Sequence, residues 1–359
     1  MLKRKRFLSL FFTIVLACGL MLGAAGCSGS SSEEEEDSSS EDASADEEEE
    51  ADASADAGEL TTFRWAVTSA TTDQYMSIIG LSEGIFEEYG LDVEVTEFGS
   101  GSNTVDAVLL GEADIGVHSD YALINRISST VDTTEIKVVG RFATNISGAH
   151  FYVNSDTITD LSDLAGKKIA TMPGTIWEFW TSKTLELAGL TEDDVELVEV
   201  DSAATAITAM STGDADAYWG TGATASKLDE AGYTRLVELA DIDLTTDFYF
   251  IVAEGYDEEL LTAFFEALND VQAWMAENPE EAASIIADEI GTDADDLQAI
   301  LECYELTIDF TQGTLDLLYE IKDWALENDV IETDFEFENY LDLSVLESLY
   351  PENVEVEWE

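Results

Sequence analysis

From residue 60 onward, apolar and polar positions fall into an ordered series of strand and helix periods. Phe63-Arg64-Trp65-Ala66-Val67 reads as a strand and 73–81 as a helix. Leu91-Asp92-Val93-Glu94-Val95 alternates with period two, as a half-buried strand does. Gly99-Ser100-Gly101-Ser102 is a turn, and 103–110 a short helix with Val105, Val108 and Leu109 on one face. Gly111 suits the left-handed conformation that ends a helix, and a strand over 113–117 follows. The same order returns further on. A strand at 168–171 leads into a helix over 175–188, then a strand at 195–200, a helix opened by Asp201-Ser202 and stopped at Gly213, and a strand at 215–219.

The repetition is legible letter by letter. GEADIGVH at 111–118 and GDADAYWG at 213–220 lie 102 positions apart and spell the helix-stop-strand step of two similar units. Strand–helix–strand with short connections means a parallel sheet covered by helices. The expected fold class is therefore α/β, with two Rossmann-like lobes. Strands at 149–153 and 247–252 are read as crossings between the lobes, so a two-stranded hinge is expected near 154–157 and 244–247, with a cleft that closes. Beyond 257 the pattern is helical, over 258–276, 279–290, 293–307 and 314–327. Expected boundaries are 60–154 plus 246–359 for lobe 1 and the C-terminal helices, and 155–245 for lobe 2.

The first 59 residues break the pattern. Lys3-Arg4-Lys5-Arg6 is a positive n-region, 7–22 is almost wholly apolar, and Gly23-Ala24-Ala25-Gly26-Cys27 is a run of small residues ending in cysteine. Residues 1–27 thus read as a secretory signal peptide. Ala24-Ala25-Gly26-Cys27 resembles a bacterial lipobox, which implies lipidation of Cys27; Cys18, inside the apolar stretch, is the weaker alternative. Residues 28–59 contain only Ser, Gly, Glu, Asp and Ala, a composition that buries no apolar area and self-repels. They are expected to be a disordered acidic tether from membrane to domain.

Charge narrows the function. The chain has 79 acidic and 14 basic residues, a net −65. Residues 60–359 alone hold 64 acidic against ten basic side chains. Such a field repels nucleic acid and anionic membrane surfaces. Cys303 is the one cysteine beyond the expected leader, so no disulfide within the mature fold is expected. With His118 and His150 as the two histidines, and no HExxH, GxSxG or GxxxxGK[ST] motif, neither a multi-histidine metal site nor a nucleotide loop is expected. No cofactor is expected.

Residues 80–123, together with GIFEEYGL at 84–91, GEADIG at 111–116, DLSDLAGKKIA at 160–170 and DADAYWG at 214–220, resemble the solute-binding lipoproteins of ABC importers in the nitrate/sulfonate/taurine and thiamine-precursor group. The resemblance spans about residues 60–322. It implies a type II periplasmic-binding-protein fold and a monomeric, non-enzymatic protein lipid-anchored outside the cytoplasm. Such a protein captures a small organic molecule between its lobes and hands it to a membrane permease and its ATPase. Two alternatives stay open: an enzyme on the same fold, as in the related thiamine-pyrimidine synthases, and a surface sensor lipoprotein.

In parallel α/β sheets ligands sit at the carboxyl ends of strands, over helix N-termini. That rule selects Thr71, Thr72 and Tyr75 after the first strand, Ser102 and Asn103 after the second, and His118, Ser119, Asp120 and Tyr121 after the third. In the second lobe it selects Gly174, Thr175, Trp177, Glu178 and Trp219, with Asn145 and Asp247 at the crossings. Thr71, Asn103, Ser119, Asp120 and Thr175 are equally suited to helix capping, as is Glu178 through a capping box with Thr175. Trp219 is hard to explain as core filler, and the resemblance implies a pocket-lining role for it. No Lys or Arg falls in these loops; Arg64, Arg126 and Arg141 lie off them. The expected solute is therefore neutral or cationic and planar, stacked on Trp219 or Trp177.

Overall fold

Residues 60–356, apart from 132, 134 and 174, are described by a computed structural model. The expected signal peptide, Cys27, the tether and Gly174 lie outside the described residues. The chain begins β1 (Thr61–Thr68), α1 (Thr72–Ser82), α2 (Ile85–Glu88), β2 (Leu91–Phe98), α3 (Gly101–Leu109), β3 (Gly116–Ser119), α4 (Asp120–Thr130) and β4 (Ile136–Asn145). It continues through β5 (Ala149–Val153), β6 (Lys168–Thr171), α5 (Ile176–Leu187), β7 (Glu196–Glu199), α6 (Ala203–Thr212), β8 (Ala217–Thr221), α7 (Gly222–Glu230) and β9 (Thr234–Glu238). The remainder is β10 (Thr246–Ala253), α8 (Glu258–Glu277), α9 (Pro279–Ile290), α10 (Ala294–Leu301), β11 (Tyr304–Thr311), α11 (Gln312–Glu327), α12 (Ser344–Leu349) and β12 (Val354–Glu355).

Two mixed sheets result. One has the order β12-β11-β4-β10-β3, extended by the parallel pair β1-β2 through a Trp65–Ile115 bridge. The other has the order β7-β6-β8-β5-β9. Stripped of β11 and β12, both follow one plan: three parallel strands built by strand–helix–strand steps, then two further strands, the first of them antiparallel to its neighbour. These are the two α/β lobes.

The repeated phrase has one hydrogen-bonding pattern in both lobes. Gly111 and Gly213 take positive φ, +70° and +78°, just past α3 and α6, where a side chain would be strained. The next two amides return to the helix: Glu112 and Ala113 donate to the Ala107 carbonyl, and Asp214 and Ala215 to that of Ala209. The aspartates then dock on the first strand of their own lobe. Asp114 accepts from the Arg64 amide at 2.8 Å, and Asp216 from the Lys168 amide at 3.0 Å. Their own amides donate to the carbonyls of those same residues. The phrase recurs because each lobe seats its third strand beside its first with the same clip.

The lobe cores are aromatic. In the first, Trp65 meets Phe86, Phe250 and Phe264 edge-on, with ring centroids 4.9–6.2 Å apart. In the second, Trp219 lies 5.6 Å from Phe151 and 5.4 Å from Trp180.

Two expectations change. β5 does not belong to the first lobe: it is hydrogen-bonded between β8 and β9. The first passage between sheets therefore occurs at 146–148, ahead of β5 rather than after it, and the return runs through 239–245. Residues 304–307, expected to continue a helix, open β11 instead. Tyr304, Leu306, Ile308 and Phe310 alternate with period two, and β11 pairs with β4.

Candidate functional site

Three helices begin at one place between the sheets: α3 and α4 from the first lobe and α5 from the second. Their N-cap residues are Ser100, Ser119 and Thr175, and in none does the N-cap side chain accept from a first-turn amide. Ser100 hydroxyl bonds Asn103 instead, and Thr175 Oγ1 donates to the Met172 carbonyl at 2.6 Å. Elsewhere both cases occur: Ser202, Asp257, Asp293 and Thr311 cap their helices, whereas Thr71, Thr221 and Asn278 do not. Helix N-termini left without side-chain caps keep amides and positive dipole ends available to an anion.

The space these helices enclose is a cavity of about 410 Å³, within the size range of small-molecule sites. Ser102, Ser119, Tyr121, Asn125 and Arg126 line it from the first lobe, and Thr175, Ile176 and Trp177 from the second. The Trp177 indole is held by its Nε1–H, which donates to the Trp219 carbonyl at 2.7 Å, and by Trp180, 5.4 Å away. One ring of a three-tryptophan stack is thus turned to the cavity.

Arg126 carries the charge of the site. Its Nη2 donates to Asp106 on α3, while its Nε is buried with no hydrogen-bond partner. The Tyr121 hydroxyl is likewise buried and unpartnered. Burial pushes that phenol well above its ordinary range, reinforced by the nearby Glu178 carboxylate, so it remains a donor at all physiological pH. Unpaired buried donors are costly, and both belong to side chains that line this cavity.

The candidates chosen from sequence divide accordingly. Ser102, Ser119, Thr175 and Trp177 line the cavity. Trp219 does not: it is fully buried, its Nε1 donates to Thr184 Oγ1 at 3.2 Å, and it supports Trp177 from behind. Asp247 is committed to Arg141 (3.2 Å) and to the Thr144 hydroxyl (2.8 Å). Asn145 shapes the crossing, its Oδ1 accepting from the Gly148 amide at 2.8 Å. Thr71 donates to the Thr68 carbonyl at 2.7 Å, and Tyr75 and Thr72 are buried in the first lobe. Glu178 lines a separate, smaller cavity, and Asn103 is exposed beside Ser100.

His118 and Asp120 flank Ser119 beneath the cavity. His118 is 2% exposed with neither ring nitrogen partnered; burial, helped by Arg126, pushes it down to about 4, so it is a neutral imidazole. Asp120 is fully buried and accepts from the amides of Tyr121 (2.6 Å) and Asp247 (3.1 Å). Burial, and less strongly Asp247, pushes its carboxyl up to about 7. An acid whose folded value is raised binds its proton more tightly when folded. Its contribution is complete below the ordinary value near 4 and is lost as pH rises through about 7. Asp120→Asn should therefore gain stability relative to the native chain between about pH 4 and pH 7, as read by urea denaturation at several pH values. His118, lowered, works the other way between about 6.5 and 4, so the variant must be compared with the native chain at each pH.

Tyr121 was among the loop candidates; Arg126 and Asn125 were not. Of the three arginines off the cleft loops, Arg64 is bound to Asp114 and Arg141 to Asp247 and Asp309, while Arg126 alone lines this cavity. The signal was present in the helix period. Ala122, Asn125, Arg126 and Ser129 follow i, i+3, i+4, i+7 spacing, opposite the buried stripe Leu123, Ile124 and Ile127. An arginine on the cavity wall removes the argument for a cationic solute.

Residues 72–282 match the model of the NMT1/THI5-like family. A Brucella abortus (strain 2308) protein designated a binding protein is 25% identical over 232 residues, which span 62% of this chain and 70% of that protein. The periplasmic aliphatic sulphonate binding protein SsuA from Escherichia coli is similar in structure, with a TM-score of 0.69 at 17% identity, covering 83% of this chain and 94% of that one. The desulfurization enzyme DszB is similar too, with a TM-score of 0.58 at 15% identity over 81% of this chain and 99% of that one. The fold of two α/β lobes is thus shared with these solved structures, and the family match covers more than half of the sequence: the chain belongs to the NMT1/THI5-like family and has the periplasmic-binding-protein fold.

Proposed function

We propose that the chain is an extracytoplasmic solute-binding protein that captures a small organic anion between its lobes and delivers it to the permease and ATPase of an ABC importer. One observation carries this reading: three helix N-termini without N-cap side-chain bonds, the Tyr121 side chain and Arg126 meet at a single interlobe cavity. The anionic group sits over α3 and α4 against Arg126 and Tyr121, and the apolar body lies on Trp177. This replaces the neutral or cationic solute expected from the loops alone. The sulphonate binding of the SsuA relative fits the same chemistry. Lobe boundaries follow the passages at 146–148 and 239–245, which act as the hinge. Cys27 supplies the lipid anchor and the following acidic segment the tether; among the described residues no helix is long and apolar enough to cross a membrane.

The likeness to a desulfurization enzyme raises catalysis as a second reading. The cavity wall supplies no thiol or carboxylate to act as nucleophile or base. Binding without turnover is the function that fits its chemistry.

Isothermal titration calorimetry against alkyl sulfonates, taurine, an aminopyrimidine and an aromatic amine tests the proposal. Saturable micromolar binding confined to the sulfonates is expected, with a smaller radius of gyration in solution scattering on saturation. Binding of the amine or aminopyrimidine alone would overturn it.

A further inference from the structure

A second cavity, of about 90 Å³, lies on the side of α5 that faces α11. Five oxygen-bearing side chains line it, together with Leu197, Trp324 and Val330. Thr171 comes from the end of β6, Glu178 and Thr181 from one face of α5, and Glu192 from the turn that follows α5. Asn328 closes it from the C-terminal end of α11, beside Trp324. Both threonines are 2% exposed, and the hydroxyl of each is buried with no hydrogen-bond partner among the described residues. The Asn328 amide nitrogen is committed to the Trp324 carbonyl at 2.8 Å, so the atom it has left to offer is its carbonyl oxygen.

Two carboxylates, two hydroxyls and an amide oxygen form a donor set for a hard cation rather than for a transition metal. Among the described residues no three His, Cys, Asp or Glu side chains cluster as a metal site, so the two glutamates need the neutral oxygens to complete a shell. The C-terminal end of a helix presents carbonyls and a negative dipole end, which also favours a cation. Glu192 is exposed at the cavity rim, and among the described residues no ion pair reaches it. Partial desolvation, then the neighbouring Asp193, pushes its carboxyl above the ordinary range. The volume suits one ion with one or two waters, each water occupying about 30 Å³.

We propose that this cavity binds a divalent, calcium-sized cation that ties the second lobe to α11. α11 packs on α4 of the first lobe and already touches α5: Trp324 Nε1 donates to Ser182 Oγ at 3.1 Å, and Lys183 pairs with Glu320 at 2.5 Å. The ion therefore sits at a joint between lobes. It holds the first turn of α5, where Trp177 and Glu178 are adjacent in sequence and face different cavities. Occupancy fixes the wall that carries Trp177.

The test needs no solute, so it stands apart from the proposed function. The purified protein, stripped with chelator, is titrated with terbium while indole is excited, Trp324 being the nearby sensitiser. Saturable emission is expected, displaced by calcium but not by sodium at matched ionic strength. Calcium should also raise the melting temperature. Thr181→Val, which keeps the side-chain shape, and Glu192→Gln should each weaken terbium and calcium binding at least tenfold. Emission and melting shifts unchanged in both variants would mean diffuse binding to the acidic surface and would overturn the proposal, as would the lack of saturable binding by the native protein. Should Glu192→Gln fail to fold, Thr181→Val decides.

Discussion

Arg126→Met is expected to lower affinity for the bound anion by about a hundredfold or more while leaving the fold intact. A charge-assisted hydrogen bond to a partly desolvated anion is worth several kcal/mol, and truncating one partner of such a pair costs about 2–5 kcal/mol. The stability cost is small, because the other partner of Arg126 is Asp106, whose side chain is 53% exposed and can return to water. Lys at this position should restore charge but not the fork, recovering part of the loss. Calorimetric titration with the best sulfonate checks all three. Affinity in Arg126→Met within about threefold of the native value would place the anionic group elsewhere. Trp177→Ala should add a loss of similar sign for solutes with a large apolar body and almost none for small ones.

Arg141→Met should be the most destabilising single change near the crossings. The Arg141 guanidinium grips Asp309 with Nε and Nη2, both at 2.7 Å, and reaches Asp247 with Nη1 at 3.2 Å. Asp247 is 1% exposed and Asp309 9%, so without the arginine two carboxylates are left in the core. Breaking a buried pair from one side costs about 3–5 kcal/mol. In a domain of this size that is a fall in Tm of roughly 10 °C. The penalty should shrink as pH falls, because protonation discharges the stranded aspartates. Arg141→Met combined with Asp309→Leu and Asp247→Asn should recover most of the loss. A Tm within about 2 °C of native for Arg141→Met alone would show that water reaches the cluster.

The α/β class and the repeated unit were legible because they rest on local signals. Period-two and helical stripes, glycine stops at Gly111 and Gly213, and aspartates at 114 and 216 all act within one strand–helix–strand step. β5 was misplaced because a strand of five apolar and aromatic residues says nothing about which sheet it joins. That choice depends on Tyr218 and Trp219 across the ladder, some 67 positions away. The site was half legible for a related reason. Loop rules find Ser102, Ser119, Thr175 and Trp177, which lie where strands end. They miss Arg126, which reaches the cavity from the second turn of α4. They also overvalue Trp219 and Asp247, whose side chains point to an indole stack and an arginine that only the packed fold reveals.

The order of strands also constrains how the chain can fold. β10 lies between β3 and β4 in the first sheet, yet it is made about a hundred residues after β4. Until residue 253 exists, that sheet has a gap at its middle. Closing a disordered loop of that length to pair Asn145 with Thr246 carries a chain-entropy cost that grows with the logarithm of length. The second lobe removes most of it. Its own edge pairs β5 with β9, His150 opposite Glu238, so once that lobe has folded the two connecting segments leave it side by side. The first sheet then closes across a short span instead of a long one. The inserted lobe thus shortens the effective loop that must close before β10 can complete the first sheet.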